Sequence, residues 1–153
     1  MTTDTNRIYS TRRLGIVRAL TEKLKEIDGN GDFNSNVYGN VHPKLMFWDE
    51  VREFPSIHLN AGSETREYQG GGYKDRFLSV TVRIYVQDED ATEALEELLE
   101  DVETVIETNS RLTYTNRRGD EESTQQITIV SITTDEGVLE PLAVGEILLE
   151  VRY

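Results

Sequence analysis

The sequence predicts an α+β fold: a mostly antiparallel sheet with two main helices packed on one face, in the order α-β-β-β-α-β-β. Three observations carry this reading. Apolar residues recur at helical steps over 11–27 and again over 90–108. They alternate with polar residues through SIHLNA, FLSVTVRIYVQ, QQITIVSITT and GEILLEVRY. A single helical segment separates the two groups of strands, which favours antiparallel pairing over a doubly wound parallel sheet.

Each element follows in order. Residues 1–9 read as a flexible leader to one domain spanning 1–153. Ser10 or Thr11 caps a helix over 11–27, with Leu14, Val17, Leu20, Leu24 and Ile27 as its apolar stripe. DGNGD ends it, because two glycines and the short Asp and Asn side chains favour turns. A weak strand is expected over 37–41. An irregular connector, PKLMFWDEVREFP, holds the only tryptophan. Ile57, Leu59 and Ala61 then share the inner face of a strand, with His58 on its polar side. The polar stretch GSETREYQGGGYKD reads as a long loop with a mobile tip, joining that strand to the next. There Leu78, Val80, Val82, Ile84 and Val86 share one face, and Ser79, Thr81, Arg83 and Gln87 the other. The second helix turns Ala91, Leu95, Leu98, Val102, Val105 and Ile106 inward. RLTYTNRRGDEES reads as a polar loop, and two strands close the pattern with Ile147, Leu149, Val151 and Tyr153 on one face.

A chain of 153 residues with 37% hydrophobic residues builds one core and leaves no room for a second. No apolar run approaches the roughly 20 residues that span a bilayer, so no membrane association is expected. The start of the chain lacks the apolar run of a secretory signal. Without cysteine, disulfides and thiolate chemistry are excluded. The net charge of −13 opposes nucleic-acid binding, which rests on cationic neutralisation of phosphates.

That charge is unevenly placed. Residues 7–25 hold Arg7, Arg12, Arg13, Arg18, Lys23 and Lys25 against Glu22 alone, whereas 88–107 hold ten acids and no base. Opposite charges segregated in this way suit contacts between neighbouring subunits. Arg12, Arg13 and Arg18 on one side, and Glu96, Glu97 and Glu100 on the other, are the expected interface residues. A pair of solvated helix faces is the plainer alternative.

Motifs for chemistry are sparse. Asp28, Asn30 and Asp32 match positions one, three and five of a calcium loop, but Phe33 stands where glycine is needed and Gly39 where a bidentate glutamate is needed. The loop is therefore a weak metal candidate, and an ordinary helix-ending turn is the simpler reading. His42 and His58 lie on different elements with no metal-ligand spacing. Gly70, Gly71 and Gly72 lack the Lys-Ser/Thr of a phosphate loop, and Arg118-Gly119-Asp120 reads as a hairpin tip. No catalytic residues and no cofactor are expected.

Several segments taken together resemble a known family. They are the helix TRRLGIVRALTEKLKEI, the Phe-Pro-Ser-Ile lead into a strand, Gly62 and Glu64 just beyond it, LSVTVRIYV, and the closing PLAVGEILLEVRY ending in Tyr153. The combination resembles the tail terminator, or head–tail joining, proteins of long-tailed bacteriophages. The resemblance implies a structural virion protein with a fold like that of tail-tube subunits, assembled in the host cytoplasm. It implies a ring, usually a hexamer, that terminates the tail tube and joins it to the head connector. The implied partners are further copies of the chain, the tail tube protein and a head-completion protein, with DNA passing through the lumen unbound. Another neck or tail-tube protein is the nearest alternative. From a different class, the alternative is a small calcium- or ligand-binding module using Asp28–Asp32.

Overall fold

The computed structural model describes residues 11–153, so the leader expected at 1–9 lies outside the described residues. Helix α1 covers Arg12–Leu24, and the Thr11 side chain caps it by accepting the Leu14 N–H. Its buried face is carried by Ile16, Val17, Leu20 and Leu24. Leu14, expected in the stripe, flanks that arc and is 40% exposed. Ile27 is buried as expected but lies past the helix, in a tightened turn where its N–H reaches the Leu24 carbonyl at 3.2 Å.

The strand expected at 37–41 is reduced to β1, Val41–His42, which pairs in parallel with β2. Strand β2 spans Ser56–Tyr68 and β3 spans Lys74–Gln87. Most of the expected Gly-rich loop is therefore strand. The pairs from Arg66↔Arg76 to Tyr68↔Lys74 extend the hairpin beyond β7 into a two-stranded arm. At its tip the Gln69 N–H donates to the Tyr73 carbonyl at 2.7 Å, while Gly71 and Gly72 take φ of 79° and 84°, values that side chains resist. Because most of the arm is exposed on both faces, it carries little of the apolar alternation that marks a half-buried strand.

Helix α2, Ala91–Thr108, begins at Asp90, whose side chain accepts the Glu93 N–H. The polar segment after it is a hairpin, β4 (Thr113–Thr115) with β5 (Glu121–Ser123), rather than an irregular loop. Strands β6, Gln126–Thr134, and β7, Leu142–Arg152, complete a five-stranded sheet of order β1-β2-β3-β7-β6. All its pairings except β1–β2 are antiparallel. Helix α1 packs toward β1 and β2, and α2 toward β3, β7 and β6. The expected α+β class holds, with one small hairpin added to the expected order.

The core lies between this sheet and the helices. Leu78, Val80, Val82 and Ile84 of β3 and Ile147, Leu149 and Val151 of β7 are fully buried there, each stabilising by about 1.5–3 kcal/mol. Gly145 lets α2 approach β7: a Cβ at this position would stand 3.0 Å from Leu95 Cδ1 and 3.3 Å from Leu99 Cδ2.

The other sheet face is partly covered by the connector. Tyr85 donates its hydroxyl proton to the Met46 carbonyl at 2.6 Å. His58, expected on an open polar face, is only 1% exposed. Its Nδ1–H donates to the Lys44 carbonyl at 3.1 Å and its Nε2 accepts from the Ser56 hydroxyl, partners that assign a neutral tautomer. The alternation identified the face correctly, but the covering connector has no sequence period to announce it.

Candidate functional site: a basic basin and an acidic cleft

Arginines from four separate elements converge on an open basin of about 1090 Å³. Arg12 and Arg13 come from the first turn of α1, Arg66 from β2, Arg76 from β3, and Arg117 and Arg118 from the turn between β4 and β5. Three carboxylates, Asp120, Glu121 and Glu122, share the lining. A net positive patch thus sits on a chain of net charge −13.

Local hydrogen bonds hold these groups in place. The Asn116 side-chain oxygen accepts the N–H groups of Arg118 at 2.9 Å and Asp120 at 3.0 Å, fixing the β4–β5 turn. Glu122 is the hub between that hairpin and α1. It accepts from Arg12 Nε at 3.1 Å, from the Tyr114 hydroxyl at 3.0 Å and from Asn116 Nδ2 at 3.0 Å. The Asn116 bond leads the effects that hold the Glu122 carboxyl below its usual range, and burial pushes the Tyr114 hydroxyl up.

A second hub joins the arm to the end of β7. Tyr153 donates its hydroxyl to Glu64, which also pairs with Arg66 at 2.8 Å. Burial alone would raise the Glu64 carboxyl, but these two hydrogen bonds outweigh it and lower it. The Tyr153 hydroxyl is pushed up to about 12, chiefly by burial. Arg76 lies 5.5 Å from the centre of the Tyr153 ring. Among the described residues Arg13, Arg76, Arg117 and Arg118 form no ion pair, although Arg13 donates to the Gly62 carbonyl.

The acidic counterpart lies elsewhere, on α2 and β6. Glu93, Glu96, Glu97, Glu100 and Glu103 of α2 line a cleft of about 460 Å³, with Leu99 and the β6 residue Ile132 among them. No cation pairs with these glutamates among the described residues. The Glu93 carboxyl is raised by its contact with Asp90 and then by the charge of Glu97.

The six expected interface residues are therefore distributed unevenly. Glu96, Glu97 and Glu100 share the cleft. Arg12 and Arg13 enter the basin, but Arg12 is occupied by Glu122. Arg18 is exposed on α1 outside the basin lining. Sequence reasoning misses Arg66, Arg76, Arg117 and Arg118, because it sets Arg66, Arg117 and Arg118 in loops and Arg76 between a loop and a strand, and only the tertiary fold brings them together. Their one visible signal was the doubled arginine before Gly119. Asp101, counted among the acids of the second helix, is fully buried and clamps the 28–36 segment instead.

In that segment Asp28 accepts the Asn30 N–H at 2.9 Å and bridges to Asn36, forming a closed turn. The Asn30 hydrogen bond is the main cause that lowers the Asp28 carboxyl. Among the described residues, no three His, Asp or Glu side chains are grouped to hold a metal ion. None of the described helices is long and apolar enough to cross a membrane.

This fold, a mostly antiparallel sheet covered by helices, recurs in a virion. A chain from the virion of a native gene transfer agent particle superposes with a TM-score of 0.61 at 8% identity, covering 94% of this chain and 98% of that one. Residues 10–153 match the profile of the family described as Bacteriophage Tail Tube Terminator Protein. The tail tube terminator protein p142 of Escherichia phage T5 is 35% identical over 150 residues, covering 92% of each chain. The chain belongs to the bacteriophage tail tube terminator family. It is a structural protein of the virion tail, as the resemblance implied.

Proposed function

We propose that copies of this chain close into a ring, a hexamer, which caps the finished tail tube and presents its other side to the head connector. The observation that carries this reading is full-length kinship with a tail tube terminator, since the match leaves almost none of the domain to another role. The placement of charge supports it. A cyclic ring needs two different patches on each subunit, and the basin and cleft stand on different elements of the fold. The partners are other copies, the tail tube protein and a head-completion protein, and the role involves no reaction. DNA crosses the lumen past the polar sheet face that carries Arg83, Glu146, Glu150 and Arg152.

Native mass spectrometry, combined with addition of the protein to growing tail tubes, tests the proposal. The expected result is a six-subunit species and tubes that stop elongating once capped. Tubes that continue to grow with the protein bound nowhere on their ends would overturn it.

A further inference from the structure

We infer that the arginine basin of one copy receives the glutamate cleft of a second copy, with Arg117 and Arg118 as the principal cations of the contact. The inference rests on the ring reading and locates the joint between neighbours. Arg117 and Arg118 form no ion pair within the described residues, and Asn116 holds their turn in a single shape. The turn that carries them therefore needs little ordering on association, and the cost that remains is the rotamer freedom of the two side chains. Arg12, by contrast, is already engaged by Glu122 at 3.1 Å, so it positions the hairpin rather than serving the neighbour.

The cleft supplies the complement. Its glutamates lie on successive turns of α2, spaced so that several carboxylates face the same way. Ile132 of β6 lines the cleft and is 39% exposed, whereas Leu99 lies buried in the core beneath it. Ile132 can add an apolar contact to surface ion pairs that are weakened by screening. The cleft stands on α2 and β6, whereas the basin stands on α1, the β2–β3 arm and the β4–β5 turn. Joining one to the other leaves each end of the pair with an unused patch, so association continues until the ring closes. A phosphate backbone is the competing occupant of the basin, but the acidity of the whole chain works against it.

Sedimentation of the full chain, with circular dichroism to confirm folding, tests this by charge exchange. Arg117→Glu with Arg118→Glu, or Glu96→Lys with Glu100→Lys, should each weaken self-association at least about tenfold at low salt. Both pairs reversed in one chain should restore it, because the complementarity is then inverted. If the reversed chains assemble like the wild type, or if the fourfold variant fails to recover, the contact lies elsewhere while the ring reading stands. A wild-type chain that remains monomeric at every concentration and salt overturns the ring and the contact together. Tight binding of a short DNA duplex that is lost in Arg117→Glu with Arg118→Glu assigns the basin to phosphate and overturns the inference.

Discussion

Asp101, fully buried on α2, accepts the backbone N–H of Ser35 at 2.7 Å and that of Asn34 at 2.8 Å. One carboxylate thereby satisfies two donors of the turn that follows α1. Replacing Asp101 with Ala leaves both without their partner and should cost about 2–4 kcal/mol. For a domain of this size that lowers the melting temperature by roughly 5–15 °C. Asp101→Asn, which keeps one acceptor, should lose less. Urea denaturation with an unchanged slope checks both.

His58 gives the chain a pH dependence of its own. Burial, and after it the charge of neighbouring His42, lower His58 below the ordinary 6.5 of a histidine. The unfolded chain therefore binds this proton more readily than the folded one. Stability is full above about pH 6.5 and is lost as the pH falls through the lowered folded value. The carboxylates of Glu64 and Glu122, held below the usual glutamate range by their hydrogen bonds, contribute only at lower pH. His58→Gln should flatten the upper limb in a melting series from about pH 7 to about pH 5. An equally steep limb in the variant would assign it to another group.

Gly145 fixes the distance between sheet and helix. A methyl group added here would stand 3.0 Å from Leu95 Cδ1, so Gly145→Ala should destabilise by about 1–3 kcal/mol through overpacking. Adding Leu95→Ala should then cost less than it does in the wild-type background, since the two positions share one space. Strict additivity in thermal melts would show that α2 shifts freely.

How much of this was legible depended on which faces were buried. Helix α2 was bounded to within a residue, because Asp90 caps it and its apolar stripe is uninterrupted. The arm reads as a loop because its strands are mostly exposed and carry no contrast, and the β4–β5 hairpin because strands of three residues with one buried side chain, Tyr114, are too short to show a period. Asp101 was misjudged as a surface acid although Leu98 and Val105, three before and four after, place it on the inward arc. The acidic half of the candidate site could be read from one helix, where neighbours in sequence are neighbours in space. The basic half could not be read whole, since its arginines stand on α1, the β2–β3 arm and the β4–β5 turn and meet only in the tertiary fold.

Glu122 ties the β4–β5 hairpin to α1 through Arg12, Tyr114 and Asn116. Glu122→Ala should cost about 1–2 kcal/mol, the modest figure reflecting its partial exposure. Amide exchange should accelerate over 113–123 while β3 and β7 keep their protection. Unchanged exchange there would mean that backbone pairing alone holds the hairpin.

The polar sheet face should repel rather than grip DNA. Arg83 is paired with Glu146 at 3.0 Å and Arg152 with Asp75 at 2.9 Å, so neither cation is free for a phosphate. Filter binding at moderate salt should retain no duplex. Submicromolar retention would contradict this.

The order in which the strands pair also sets a schedule. Strand β3 bonds to β7 at Phe77↔Arg152, far apart along the chain. At synthesis rates of about 5–20 residues per second, the β2–β3 hairpin waits on the order of 3–13 s for its neighbour. During that interval one long apolar strand edge is unpaired, and contacts this distant also slow the final docking step. A nascent chain arrested before β7 should be protease-sensitive and prone to aggregate, and it should become resistant once β7 emerges. The complete sheet thus arrives late and all at once, so an unfinished chain has no native β3–β7 surface to offer a partner.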